Sequence, residues 1–256
     1  MLYSPLLNPD LLSILCHPKT HEPLQWVNGQ LASAQGEVFP VRHGIPRLVG
    51  ARLPFRHRFW AWVYNRTAFA YDWGVSFAWR LSLGGQPIDR QAYLEKIDLH
   101  PGEWVLETAV GTGANLQHFP SHAHYVGLDI SYAMLRRCQD NLARWGREAA
   151  LVQGDAQALP FREGVFDAVV HMGGLQFLTH PQQALEEAWR VTRPGGRIWM
   201  VDEAYSIPSL VRRSARPPLA TGAEALRSLV PALSDDIHAE LISHGELYFL
   251  SFRKRT

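Results

Sequence analysis

Cysteine is scarce in this chain: Cys16 and Cys138 are the only two among 256 residues. That excludes a four-cysteine zinc site and argues against a disulfide framework. Long apolar runs are missing too, with nothing near the roughly 18 uninterrupted residues that a membrane-spanning helix needs. The opening Met1-Leu2-Tyr3-Ser4-Pro5 has neither the basic region nor the apolar segment of a signal peptide, so a cytoplasmic protein is expected. Charge of one sign is also lacking. Lys plus Arg number 25 against 24 Asp plus Glu, a net charge of +1, where a nucleic-acid-binding face calls for a basic excess. Apolar residues, by contrast, make up 46% of the chain and include nine Trp. One large α/β domain with a small appendage fits this length and composition.

The most informative stretch is Trp104-Val105-Leu106-Glu107-Thr108-Ala109-Val110-Gly111-Thr112-Gly113. An apolar run ends in a carboxylate and bends through small residues towards Ala114-Asn115-Leu116, which reads as a helix start. Glycines allow positive φ and let a ligand approach the backbone closely. His124-Tyr125-Val126-Gly127-Leu128-Asp129-Ile130-Ser131 reads as a second strand ending in Asp129. An acidic residue about 20 positions beyond a glycine loop is placed to hold both hydroxyls of a ribose. A third strand starts near Ala149 and leaves Asp155 just past its end. Val165 to Met172 gives a fourth, and Arg197 to Asp202 a fifth, preceded by the turn Arg193-Pro194-Gly195-Gly196. Ile237 to Phe252 reads as a closing hairpin.

These motifs resemble those of class I S-adenosylmethionine (SAM)-dependent methyltransferases from about Ile88 to the C-terminus, roughly two thirds of the chain. "VLETAVGTG" is similar to that family's first motif, "VGLDIS" to its ribose motif and "GDAQALPF" to its adenine motif. "FDAVV" matches its fourth strand and "RVTRPGGRIWMVD" its helix-turn-strand. Ala109 stands where most members carry glycine, although quinone-type C-methyltransferases also place alanine there. An alanine is expected to keep ordinary φ/ψ at this position. The resemblance implies an α/β, Rossmann-like, seven-stranded, mostly parallel sheet closed by an antiparallel C-terminal hairpin, with a small N-terminal β-rich unit. It also implies SAM as cofactor.

On that reading the chain divides into residues 1–50, a degenerate zinc-ribbon-like unit, residues 51–95, a helical aromatic segment, and residues 96–256, the methyltransferase domain. In the first unit, Leu11 to Leu15 is a short amphipathic turn. Strand-like runs near Leu24–Val27 and Glu37–Val41 flank an Asn28-Gly29 turn signal. "LLSILCHPKTHEPL…LASAQGEVFPVRHGIPRLV" resembles zinc-ribbon-like proteins related to the small activator subunit of tRNA and protein methyltransferases. Cysteine pairs of that family fall at His17/Thr20 and Ala32/Gln35. None is cysteine here, so no bound metal is expected; the alternative is a site of different spacing from Cys16, His17, His21 and His43. Such a unit contacts the main domain or a protein partner. In the second segment Phe59, Trp62/Val63, Arg66 and Ala70 have roughly helical spacing, which reads as a core-facing stripe. The similarity of "YNRTAFAYDW" to quinone-type methyltransferases implies instead that Tyr64, Tyr71 and Trp73 line or cover the cofactor pocket. Glu203 to Leu219, with three prolines and three arginines, reads as a lid or a solvated loop.

The resemblance assigns cofactor-binding roles to Glu107 (methionine amino group), Ala109, Gly111, Thr112 and Gly113 (the loop) and Asp129 (ribose). Ile130 and Met134 fall on the adenine side, and Asp155 and Ala156 at the adenine amine. For Asp155 a turn-forming role after Gly154 stays open. His171, at the end of the fourth strand, is the candidate general base, or else a hydrogen-bond partner of the SAM carboxylate or of backbone. His180, before Pro181, reads as a capping or turn residue. The expected function is methyl transfer to a small, apolar or aromatic acceptor. An RNA or protein methyltransferase is the alternative suggested by the N-terminal unit, and a non-catalytic SAM-binding subunit is a third. The sequence His171-Met172-Gly173-Gly174 in place of an Asn/Asp-Pro-Pro-Tyr type tetrapeptide counts against N-methylation of planar bases.

Overall fold

The structure is a computed structural model that describes residues 8–49, 94, 97–175, 178–203, 227, 230–242 and 247–256. The sequence readings for Tyr64, Tyr71 and Trp73, and for the segment following Glu203, lie outside the described residues.

Seven strands form the main sheet. In chain order they are β5 (Trp104–Thr108), β6 (His124–Asp129), β7 (Ala150–Gln153), β8 (Phe166–Met172), β9 (Thr192–Glu203), β10 (Ser234–Ile242) and β11 (Leu247–Lys254). Their spatial order is β10-β11-β9-β8-β5-β6-β7. Strands β5 to β9 run parallel, and the β10–β11 hairpin closes the sheet antiparallel against β9. The parallel strands are buried along almost their whole length, as expected where helices or loops cover both faces. Helix α2 (Tyr132–Trp145) starts at Ser131, whose hydroxyl accepts from the Met134 amide, and stops at Gly146 in the left-handed conformation. That is an N-cap and a C-terminal glycine stop in their preferred positions. Helix α3 (Pro181–Val191) has Pro181 in its first turn and His180 at its N-cap, where the imidazole makes no capping bond.

Strand parity sorts the core into two layers. Leu106, Leu128, Val169 and Met200 pack on one face with α3 residues Leu185, Ala188 and Val191. Val105, Tyr125, Val170 and Val201 pack on the other with α2 residues Leu135, Cys138 and Leu142. Two local expectations changed. The segment after Gly113 forms successive turns, with Leu116 N to Gly113 O and His118 N to Asn115 O bonds, and not a regular helix. The Arg193–Gly196 turn lies inside β9 as a bulge, where Phe166 and Ala168 face Thr192 and Arg197.

The N-terminal unit starts with α1 (Pro9–Ile14) and continues as a four-stranded antiparallel sheet of β1 (Gln25–Val27), β2 (Gln30–Ala32), β3 (Val38–Arg42) and β4 (Ile45–Pro46). Both of its two-residue turns, Asn28-Gly29 and His43-Gly44, have positive φ at each central residue, the geometry that matches strand twist in a hairpin. Its apolar side chains Leu11, Leu15, Leu31, Phe39 and Leu48 join the layer of α3. Burial of each such side chain contributes about 1.5–3 kcal/mol. Backbone bonds complete the joint: Cys16 N to Pro160 O, Arg162 N to Ile14 O, and Leu48 N to Gln153 O on the outer edge of β7. That edge would otherwise present unpaired backbone groups.

At the position where the resemblance places a metal-binding cysteine, the His17 ring fills the turn. Its Nδ1 accepts from the Lys19 and Thr20 amides at 3.2 and 3.1 Å, and its Nε2 lies 2.9 Å from Glu37 Oε2. Two accepted bonds at Nδ1 leave the proton on Nε2, which donates to the carboxylate. Cys16 is fully buried, and burial pushes its thiol up to about 11. Among the described residues, no group of three or more His, Cys, Asp or Glu is placed to share a metal ion. If the unit holds no metal, as its missing cysteines imply, a chelator leaves the thermal midpoint unchanged. His17→Ala should lower stability by about 1–3 kcal/mol through the lost hydrogen bonds. Both outcomes are readable by calorimetry, and a large chelator-induced drop in midpoint would reverse the assignment.

Candidate cofactor-binding site

β5 hydrogen-bonds to β6 on one side and to β8 on the other, so the strand order reverses beside it. Open α/β sheets bind ligands in the crevice at such a point, beyond the carboxyl ends of the strands. The candidate residues sit there: Glu107 near the end of β5 and the 109–113 loop after it, Asp129 ending β6 with Ile130 and Ser131 beyond, Asp155 after β7, and His171 near the end of β8 with Gly173 and Gly174 beyond.

Glu107 is buried, and its Oε1 accepts from Asn115 Nδ2 at 2.6 Å. Asp129 is also buried. Its Oδ2 accepts from the Gly111 amide at 2.9 Å and its Oδ1 from the Ser131 amide at 2.8 Å. Burial raises its carboxyl to about 6, against the lowering effect of backbone hydrogen bonds from Ser131, Gly111 and Ile130. By parity, Glu107 and Asp129 belong to the α2 layer. Ile130 is half-buried and Met134 buried in the first turn of α2. The loop is fastened from below: Asn141 Nδ2 donates to the Thr112 carbonyl at 3.0 Å, and Gly113 N donates to Val110 O at 2.9 Å.

Asp155 Oδ1 accepts from the Gln157 amide at 2.9 Å, so this residue does form a turn. Its side chain and Ala156 remain partly exposed. Gln157 carries the turn to α3, its Oε1 accepting from the His180 amide at 2.5 Å.

His171 lies on the opposite, α3 face, in register with Thr108. Its Nδ1 is 2.8 Å from Thr108 Oγ1, and its Nε2 is 4.0 Å from Asp202 Oδ2. Burial lowers the imidazole to about 4, so it is neutral near pH 7. Asp202 also accepts from the Leu175 amide at 2.6 Å, and Gly173 N donates to Val201 O at 2.8 Å. The two bonds hold the 173–175 loop against the end of β9.

One expectation is overturned. Ala109 has φ +57, in the left-handed region, instead of ordinary φ/ψ. The loop must bend sharply so that Val110 N reaches Leu128 O at 3.0 Å and Gly111 N reaches Asp129. These bonds hold the alanine where a glycine sits without strain. Asn115, Asn141, Thr108, Asp202 and Gln153 escaped the sequence reading. Thr108 and Asp202 could have been found by matching parity across adjacent strands; Asn115 and Asn141 depend on the path of the loop and have no sequence signal.

A parallel sheet in this order, with a glycine loop after its central strand and an acidic residue ending the next, is an arrangement in which open α/β sheets hold nucleotides. Residues 106–200 match the family described as "Methyltransferase domain". Over that stretch the chain is similar to methyltransferases, as two curated relatives also show. It is 34% identical over 152 residues to the ubiquinone/menaquinone biosynthesis C-methyltransferase UbiE of Ruegeria sp. (strain TM1040), covering 57% of this chain and 59% of that protein. It is 38% identical over 120 residues to the demethylmenaquinone methyltransferase of Thermobifida fusca (strain YX), covering 46% of this chain and 51% of that one. The chain thus spans between half and three fifths of the length of these curated relatives. In fold it is similar to the Haemonchus contortus phosphoethanolamine N-methyltransferase 2 solved with phosphomonomethylethanolamine and S-adenosylhomocysteine. That likeness has a TM-score of 0.60 at 14% identity and covers 82% of this chain and 62% of the other.

Ala109→Gly should relieve a left-handed strain of about 1–2 kcal/mol, offset by about 0.5–1 kcal/mol of glycine entropy. A net gain of about 1 kcal/mol in urea melts is expected. Gly113→Ala should do the reverse, because a Cβ there would stand 2.6 Å from Cys138 Sγ at φ +80. A loss of about 2 kcal/mol or more is expected from the overpacking and the strain together.

Proposed function

We propose that this protein transfers a methyl group from SAM to a small, apolar or aromatic acceptor, and that a ring carbon of a quinone-type compound is the first acceptor to test. The observation that carries the cofactor half is the buried Asp129 carboxylate at the crevice. The quinone half is supported by the names of the relatives.

The residues present suit the cofactor. Among the described residues, a Cβ on Gly173 would meet no heavy atom within 4 Å, and one on Gly111 only a backbone oxygen at 4.0 Å, so backbone leaves room at the ends of β5 and β8. When bound, SAM supplies a methyl already activated on a sulfonium. Glu107 would accept from the amino group, loop residues 109–113 would pass along the amino-acid and ribose portions, and Asp129 would accept from the ribose hydroxyls. Ile130, Met134, Asp155 and Ala156 would face the adenine. Positioning of donor and acceptor supplies much of the rate in such chemistry. His171, neutral and with its Nε2 unbonded among the described residues, would take a proton from the acceptor, with Asp202 4.0 Å away to stabilise the imidazolium.

Isothermal titration with S-adenosylhomocysteine tests the cofactor half, and transfer of tritiated methyl to a fractionated extract tests the acceptor half. Label in the organic-soluble fraction supports the proposal; label in RNA or protein, or binding without label, overturns the small-molecule reading. Asp129 adds a pH signature. Its raised carboxyl contributes stability to the ligand-free fold that is fully present below about 4 and lost as pH rises through about 6. The ligand requires the ionised form, so affinity should weaken about tenfold between pH 7.5 and pH 5. Asp129→Ala should abolish most of the affinity and its pH dependence; unchanged affinity would remove Asp129 from the site. His171→Ala should hold S-adenosylhomocysteine affinity within about threefold and cut kcat by about 10²-fold or more. Undiminished turnover would end the base assignment.

A further inference from the structure

The N-terminal unit touches the main domain at a place that apolar docking alone does not explain. Arg47 Nε donates to Gln153 Oε1 at 2.6 Å, and Gln153 Nε2 donates to the Ile130 carbonyl at 2.9 Å. Gln153 is buried at the end of β7. The next amide, Gly154 N, donates to the Asp129 carbonyl at 3.0 Å. Two consecutive carbonyls of the turn that carries Asp129 and Ile130 are therefore held from β7, one by backbone and one by a side chain.

A side-chain amide can sit either way round, because its oxygen and nitrogen ends are nearly the same size. A guanidinium can only donate. With Arg47 on one side, the oxygen of Gln153 must face it, and the nitrogen must face the Ile130 carbonyl. Remove Arg47 and the amide loses the group that fixes its orientation. The same unit holds the start of the following helix from a second side. His43 Nδ1 lies 2.7 Å from the Tyr132 hydroxyl, Gln139 Nε2 donates to the His43 carbonyl at 3.1 Å, and the Arg47 guanidinium lies 5.0 Å from the centre of the Tyr132 ring. His43 is itself at φ +53 in the tight turn between β3 and β4, so the β3–β4 turn is shaped to reach the start of α2.

We propose that the N-terminal unit is a working part of the cofactor site, through Arg47 as a positioning residue that sets the Gln153 amide and so the Asp129–Ser131 turn. The inference rests on the SAM reading of that turn. Arg47 touches no ligand; it acts through Gln153, and its effect belongs to the adenosine half of the cofactor and not to the acceptor.

The test is S-adenosylhomocysteine affinity by isothermal titration on the full chain, paired with thermal midpoints. Arg47→Ala should weaken binding roughly three- to tenfold, the size of one lost hydrogen bond, and Arg47→Lys, which keeps a donor, should recover part of it. Gln153→Glu separates positioning from packing. The new carboxylate would keep, and strengthen, the pairing with Arg47 while presenting no donor to the Ile130 carbonyl. The stronger Arg47 pairing offsets the acceptor–acceptor contact with the Ile130 carbonyl, so the midpoint should change little while affinity falls at least threefold. Affinity unchanged in Arg47→Ala and Gln153→Glu, with the wild type binding, overturns this inference and leaves the cofactor assignment standing. A wild-type chain that binds no S-adenosylhomocysteine overturns both.

Discussion

The site depends on one carboxylate kept at the rim of an apolar sheet. Asp129 ties three segments that are distant in sequence: the loop after β5 through the Gly111 amide, the start of α2 through the Ser131 amide, and β7 through its own carbonyl. The cost of this arrangement is the desolvation that raises its carboxyl to about 6. A carboxylate whose oxygens already accept two backbone amides keeps lone pairs for further donors. Neutral hydroxyls fill them without adding charge, which is what a ribose diol offers. The strain at Ala109 follows from the same tie, since the loop must turn through the left-handed region to deliver Gly111 to Asp129.

The N-terminal unit completes the sheet as much as it decorates it. Residues 47 and 48 pair along the free edge of β7, and α1 lies against the 160–162 segment. Arg190 of α3 donates to the carbonyls of Leu159 and Phe161 while pairing with Glu187, and Glu187 accepts from the Leu159 amide. The segment on which α1 docks is therefore fixed by α3 before the N-terminal unit contributes anything. In such a joint the apolar side chains supply the affinity, and the few polar contacts set geometry, because a buried hydrogen bond is worth little net but costs much when misaligned. This is why Arg47 and Gln153 matter more for the turn they orient than for holding the unit in place.

Much of the main domain was legible. Apolar runs of four to seven residues, each ending at a polar or glycine position, gave five parallel strands and the hairpin, and the spacing from the glycine loop to Asp129 gave the crevice. These signals are local and periodic. What escaped was set by tertiary geometry. Ala109 carries no mark of a left-handed backbone; its conformation is imposed by Val110 and Gly111 reaching across to β6. The Arg193–Gly196 segment reads as a turn, yet β9 runs through it as a bulge because Thr192 already pairs with Phe166. The N-terminal hairpins were half visible: Asn28-Gly29 is a strong turn signal, while His43-Gly44 is the same turn with a residue less typical of it. Ranges that fall outside the described residues leave the aromatic segment as a reading of sequence alone.

The sheet also separates two buried titratable groups whose shifts run in opposite directions. Glu107 and Asp129 stand in the α2 layer, and His171 stands in the α3 layer with Thr108 and Asp202. The same physical cause, loss of water, moves Asp129 up to about 6 and His171 down to about 4. Each shift favours the uncharged group, but the linkage runs in opposite directions. His171 contributes stability that is present above its ordinary value near 6.5 and lost as pH falls through about 4, whereas the Asp129 contribution grows over nearly the same interval. The ligand-free fold is thereby buffered against mild acid while the two sites are not. Acid would take the charge from Asp129 before it gave one to His171, so the Asp129 carboxylate changes state well before the neutral imidazole does.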